Sequence, residues 1–109
     1  MRRRIRYLLP LLAAAAVTAG CVFVQPTAEG KKVRVLTAAE VERCRSLGSL
    51  TSQVADRVGA IPRNRESVQD DVTLNAQNAA AEMGGDTVVP TSDMQEGKQS
   101  FAVYRCLTP

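Results

Sequence analysis

Ser67-Val68-Gln69-Asp70-Asp71-Val72-Thr73-Leu74-Asn75-Ala76-Gln77-Asn78-Ala79-Ala80-Ala81-Glu82-Met83-Gly84-Gly85 is the stretch on which the fold turns. Val68, Val72, Ala76, Ala79 and Met83 recur at helical spacing, so they form one apolar stripe. Asn64 or Ser67 can cap the start. Glu66, Asp70 and Asp71 crowd the first turns, where the helix dipole favours negative charge. Gly84 supplies the left-handed conformation that ends a helix, and Gly85 allows a close turn. The small side chains of Ala79, Ala80 and Ala81 let such a helix lie close on a sheet. Because these glycines follow the helix, they do not make a phosphate loop, whose amides belong to a helix N-terminus.

Strand patterns flank the helix. Lys31–Thr37 alternates, with Val33 and Val35 on one face, and Thr37-Ala38-Ala39-Glu40 has capping-box spacing for one helical turn through Glu42. Cys44 to Ala55 carries Leu47, Leu50 and Val54 and reads as a second strand. Gly59, Pro62 and Asn64 make Arg57–Arg65 the expected loop. Its Arg57, Arg63 and Arg65 could meet lipid phosphate or saccharide, but a solvated loop whose charges offset Asp56 and Glu66 accounts for them. After the helix, Asp86–Pro90 and Gly97–Cys106 are strands joined by the polar stretch Thr91–Glu96, with Phe101 and Val103 alternating against Ala102, Tyr104 and Cys106. The order strand-strand-helix-strand-strand predicts an α+β domain, one main helix packed on a small, mostly antiparallel sheet.

The N-terminal twenty residues read differently. Arg2, Arg3, Arg4 and Arg6 precede an apolar run, Leu8–Ala16, that is too short to span a bilayer, and Thr18, Ala19 and Gly20 follow with small side chains. Val17-Thr18-Ala19-Gly20-Cys21 resembles the lipobox, in which small residues precede a cysteine that is acylated before the signal is cut; Thr18 stands where leucine is commoner. The expectation is a signal peptide over 1–20, lipid (palmitate among the acyl chains) on Cys21, a tether to residue 30, and a domain over 31–109 facing the periplasm. The alternative is an ordinary secretory signal cleaved nearby. Val22 rather than aspartate after the cysteine points to the outer membrane.

Subtracting the signal changes the charge. The chain holds 14 Lys and Arg against 11 Asp and Glu. Four of the basic residues lie before Cys21, leaving ten against eleven, so no basic footprint for nucleic acid remains. The sequence has no histidine, which excludes imidazole metal ligation and Ser-His-Asp chemistry. With Cys21 committed to lipid, Cys44 and Cys106 are an even pair, and a disulfide would suit a small exported domain whose core is thin in aromatics. Two reduced thiols are the alternative; a redox pair lacks Cys-x-x-Cys spacing. No catalytic set stands out, and neither cofactor nor metal is expected. Glu40 with Glu42 and Asp70 with Asp71 read as solvated charge, and a hydrolase would have to draw on scattered residues such as Asp56, Arg63 and Asp93. The expected role is a non-catalytic binding or structural module, held to the membrane by Cys21, with an envelope protein as its conceivable partner.

Those residues in order, from the lipobox through Val33-Arg34-Val35-Leu36, Cys44-Arg45-Ser46-Leu47-Gly48, Asn75 to Val89 and Tyr104-Arg105-Cys106, resemble a family of small bacterial lipoproteins grouped as domain of unknown function 4156. The resemblance spans essentially the whole mature domain. It implies the lipid, the disulfide and the fold, and carries no established activity. A more distant resemblance is to the outer-membrane lipoproteins that sense envelope stress for the Rcs phosphorelay, which also place a cysteine before Leu-Gly and an alanine-rich helix before a strand. This chain departs from them in having only two mature cysteines and a shorter tether, and the resemblance implies an envelope-stress sensor as the alternative role.

Overall fold

A computed structural model describes residues 24–107. The expected signal peptide, the lipid site at Cys21 and the sorting residue Val22 lie outside the described residues. The strands are β1 (Arg34–Val35), β2 (Arg45–Gln53), β3 (Arg57–Val58), β4 (Ile61–Pro62), β5 (Thr87–Pro90) and β6 (Lys98–Arg105), and the helix α1 is Arg65–Glu82. One sheet has the order β1-β5-β6-β2, antiparallel except where β1 meets β5, and α1 lies across it. The expected α+β architecture is therefore the observed one, and Cys44 is bonded to Cys106.

The helix starts where a side chain can satisfy its orphan amides. Asn64 is the cap, its Oδ1 accepting from the N–H groups of Glu66 (2.8 Å) and Ser67 (3.1 Å). At the other end Gly84, with φ 84°, turns the chain so that its N–H reaches Ala81 O and the Gly85 N–H reaches Ala80 O. That reciprocal pair is a Schellman cap. Gly85 has a second reason to be glycine: a Cβ there would come 2.6 Å from Val103 Cγ1.

The buried stripe of α1 is Val68, Val72, Ala76 and Ala80, a correction to the expected one, which ran through Ala79 and Met83. Ala79 is half-buried, while Met83 is the C-cap residue, past the last turn, with its methyl over Gly48 of β2. Beneath the stripe lie Val33, Val88, Met94, Phe101 and Val103, with Leu47, Leu50 and Val54 of β2 packed partly against them. Val35 pairs with the core residue Val88, but of Val33 and Val35 only Val33 is covered; Val35 is 43 % exposed. The expected strand over Lys31–Thr37 is thus shortened to its two paired residues.

Two further segments differ from their expected form. Arg57–Arg65 is not simply a loop, since β3 and β4 form a small hairpin within it. Gly59, with φ 64°, occupies the first central position of the turn, where a II′ turn needs glycine. The second concerns residues 25–30, expected as tether. They are docked on α1, and Gly30 is buried against Asn78.

Candidate functional site

Both ends of the described chain are tied down at the C-terminal end of α1. Asn78 lies two residues round from the buried Ala76, about 200° of helix, so it belongs to the side turned away from the sheet. Its Oδ1 accepts from the Thr27 N–H (3.1 Å) and the Thr27 hydroxyl (3.2 Å), while its Nδ2 donates to Gln25 O (2.8 Å). The N-terminal segment therefore crosses the outer side of the helix. It then descends past Gln77, whose Nε2 donates to Val33 O at 2.8 Å.

The C-terminal tie is Asp86. Its Oδ1 accepts the Cys106 N–H and its Oδ2 the Leu107 N–H, each at 2.8 Å, and the Thr87 hydroxyl donates at 3.0 Å. Burial alone would push this carboxyl up. The hydrogen bonds from Cys106, Leu107 and Thr87, with Arg105 nearby, outweigh that and hold it below its ordinary value. Arg105 also donates to Gly84 O at 2.9 Å, putting a cation where the helix presents its negative end. Between the two ties runs a groove of about 350 Å³ lined by Glu29, Lys32, Ala81, Gly85 and Leu107 among others. Lys32 and Glu29 meet across 3.7 Å, both well exposed.

At the far end of α1 the three expected arginines separate. Arg63 is the one with structural partners, a correction to the solvated reading: its guanidinium donates to Asp71 at 2.7 Å and to Ala55 O at 2.7 Å, both charged side chains being mostly covered. Asp71 is consequently not free surface charge either, whereas its neighbour Asp70 is exposed. Arg65 donates to Met94 O, and Arg57 sits exposed on the hairpin whose tip presents Val58 and Ile61, 64 % and 70 % exposed. Glu40 caps its own 3-10 turn, Ala38–Val41, through the Thr37 N–H and hydroxyl, which lower its pKa; Glu42 stays exposed. Asp93, in the connection to β6, lines an open polar groove of about 490 Å³ with Gln53, Ser92 and Lys98; Asp56 borders a smaller one with Arg63. Asp56 and Arg63 thus share one groove, and Asp93 lines a different one.

The side chains that sequence reading missed are polar and internal. Ser52, fully buried, donates to Val72 O (2.7 Å) and accepts from Asn75 (2.9 Å). Gln99, almost as buried, accepts from Gln69 and donates to Ser92 O. Each satisfies its partner where water is excluded. The hydroxyl–carboxylate contacts, Thr37 with Glu40 and Thr87 with Asp86, serve a turn and a strand end. Among the described residues no group of three His, Cys, Asp or Glu side chains could hold a metal, and no helix is long and apolar enough to cross a membrane.

The model of the family described as Domain of unknown function (DUF4156) matches residues 24–106. The chain belongs to that family. No curated protein and no solved structure matches the chain. The matched span begins at Val24, one residue before the segment that Asn78 holds, and ends at Cys106 of the disulfide. The docked segment and both ties are thereby part of the DUF4156 unit.

Proposed function

We propose that this chain is a lipid-anchored protein of the bacterial envelope, acylated on Cys21, whose DUF4156 domain is a non-catalytic binding or structural module held close to the outer membrane on its periplasmic side. The observation that carries the reading is the pairing of the Val17–Cys21 lipobox with a domain that is docked from Gln25 onward. Only Val22, Phe23 and Val24 separate the two, a reach of roughly 14 Å from Cys21 to Gln25 at full extension. A domain on so short a leash contacts what lies at the membrane surface and does not bridge to distant layers. The disulfide supports export, because such bonds persist in oxidising compartments.

Intact-mass measurement of detergent-extracted protein tests the anchor. The expected species starts at Cys21 and carries acyl mass; a chain with unmodified Cys21 would remove the reading. Crosslinking in intact cells then tests the module, a recurrent envelope protein being the expected product.

A further inference from the structure

The sheet has two edges of very different character. β1 is two residues long, with Arg34 in it and Lys31 and Lys32 just before it, which is how sheet edges are ordinarily kept from pairing. β2 closes the other edge over nine residues, and after Arg45 at its start the chain carries no charge and no proline from Ser46 through the end of the strand to Ala55. Its one irregularity is the register shift between Ser46 and Gly48. Beyond it the ladder to β6 is regular, and the Val54 N–H bonds Gly97 O. Antiparallel alternation then turns Ser52, Leu50 and Gly48 inward and leaves the backbone groups of Ser49, Thr51 and Gln53 pointing off the edge. All three side chains are exposed, and among the described residues no strand pairs beyond β2.

We infer that β2 pairs with β2 of a second copy of this chain, antiparallel and about a two-fold axis, to give one eight-stranded sheet. The edge suits itself. Cross-strand Ser and Thr pairs are favourable, and no like charges meet between Ser46 and Ala55. Leu47 and Leu50, only partly covered by α1, gain cover from their two-fold mates. The deciding argument is where the chain leads. A two-fold that pairs edges antiparallel stands normal to the sheet, so both helices lie on one face of the joined sheet. The N-terminal segment crosses the outer side of each helix at Asn78, so Val24 and Gln25 of both copies, the residues nearest Cys21 in the described chain, lie on that same face. Two lipid anchors could then enter one membrane, a clause that rests on the proposed acylation of Cys21. A parallel pairing would flip one copy and send its anchor the opposite way.

The test is photo-crosslinking of the full chain in cell membranes, with a benzophenone amino acid at Thr51 and, as control, at Arg57. The expected result is a covalent homodimer from position 51 and none from 57. It should be strongly reduced by Ser49→Lys, with the Cys44–Cys106 bond intact on non-reducing gels as proof of folding. A monomer only, a crosslink only to a different protein, or a dimer indifferent to Ser49→Lys overturns the pairing. Intact mass on the same sample separates the two readings: a dimer with unmodified Cys21 keeps the pairing and removes the membrane anchor, while acylated Cys21 without a dimer does the reverse.

Discussion

Asp86 is the residue whose charge the fold uses most directly. Two backbone N–H groups from the C-terminal stretch and the Thr87 hydroxyl converge on it, and the carboxylate is stabilised over the neutral acid. A group whose pKa is depressed by folding contributes stability above its unfolded value, and that contribution is lost as pH falls through the folded value. The domain should therefore lose stability below about pH 4, where an unfolded aspartate takes up its proton. In Asp86→Asn one amide oxygen still accepts, but the amide nitrogen faces a backbone N–H, a donor against a donor. The expected cost is about 1.5–3 kcal/mol near neutral pH, the range for a hydrogen bond to a charged group. Urea midpoints measured from neutral to acid should show a shallower fall for the variant than for the parent; parallel curves would show that the charge of Asp86 does not matter. Gly85→Ala is expected to lower Tm more than most surface changes, because the new Cβ meets Val103 and lies 3.2 Å from the Ala80 and Tyr104 carbonyl oxygens.

At the level of elements, α1 was legible because its period, cap and stop agree with one another. Asn64→Ala should lower stability by about 1 kcal/mol, readable as a drop in Tm of roughly 4–8 °C for a domain of this size. An unchanged Tm would mean that another group takes over the Glu66 and Ser67 amides. β5 and β6 were also legible from their apolar residues and punctuation, whereas the spacing of Leu47, Leu50 and Val54 in and after β2 fits neither period, and the register shift between Ser46 and Gly48 breaks the alternation. The β3–β4 hairpin was not, because Gly59 and Pro62 look the same in a loop as in a two-residue turn and an edge strand. What holds it is Arg63, whose partners Asp71 and Ala55 become neighbours only after folding. The docking of residues 25–30 was invisible for the same reason, since Asn78 is 51 residues from Thr27. Hydrogen exchange separates these cases. Arg63→Ala should raise exchange in the hairpin and leave β6 protected, and uniform loosening of the whole domain would refute a local role.

Across the whole molecule the ties on the two chain ends gather at one end of the helix. The disulfide joins the start of β2 to the end of β6, Asp86 holds the residues at and after Cys106, and Asn78 holds the N-terminal segment nearby on α1. The core between helix and sheet is small and aliphatic, with Phe101 its one buried aromatic among the described residues. Such a core alone leaves little margin in a domain of this length. Cys44 and Cys106 are 62 residues apart, and closing a loop of that length stabilises the folded state by about 4 kcal/mol in the chain-entropy model. Set against a typical total of about 5–15 kcal/mol, that is a large fraction. The paired change Cys44→Ala with Cys106→Ala removes the bond without leaving a free thiol to mispair. Its urea midpoint should fall by roughly 1–4 M, since the slope for a small protein is about 1–3 kcal/mol per molar. The far-UV spectrum in buffer should stay native-like if the core still suffices, and collapse if it does not; in both cases the bond is the main staple. A midpoint within experimental error of the parent would mean instead that Asp86 and the β2–β6 ladder already fix the two ends, with the disulfide redundant.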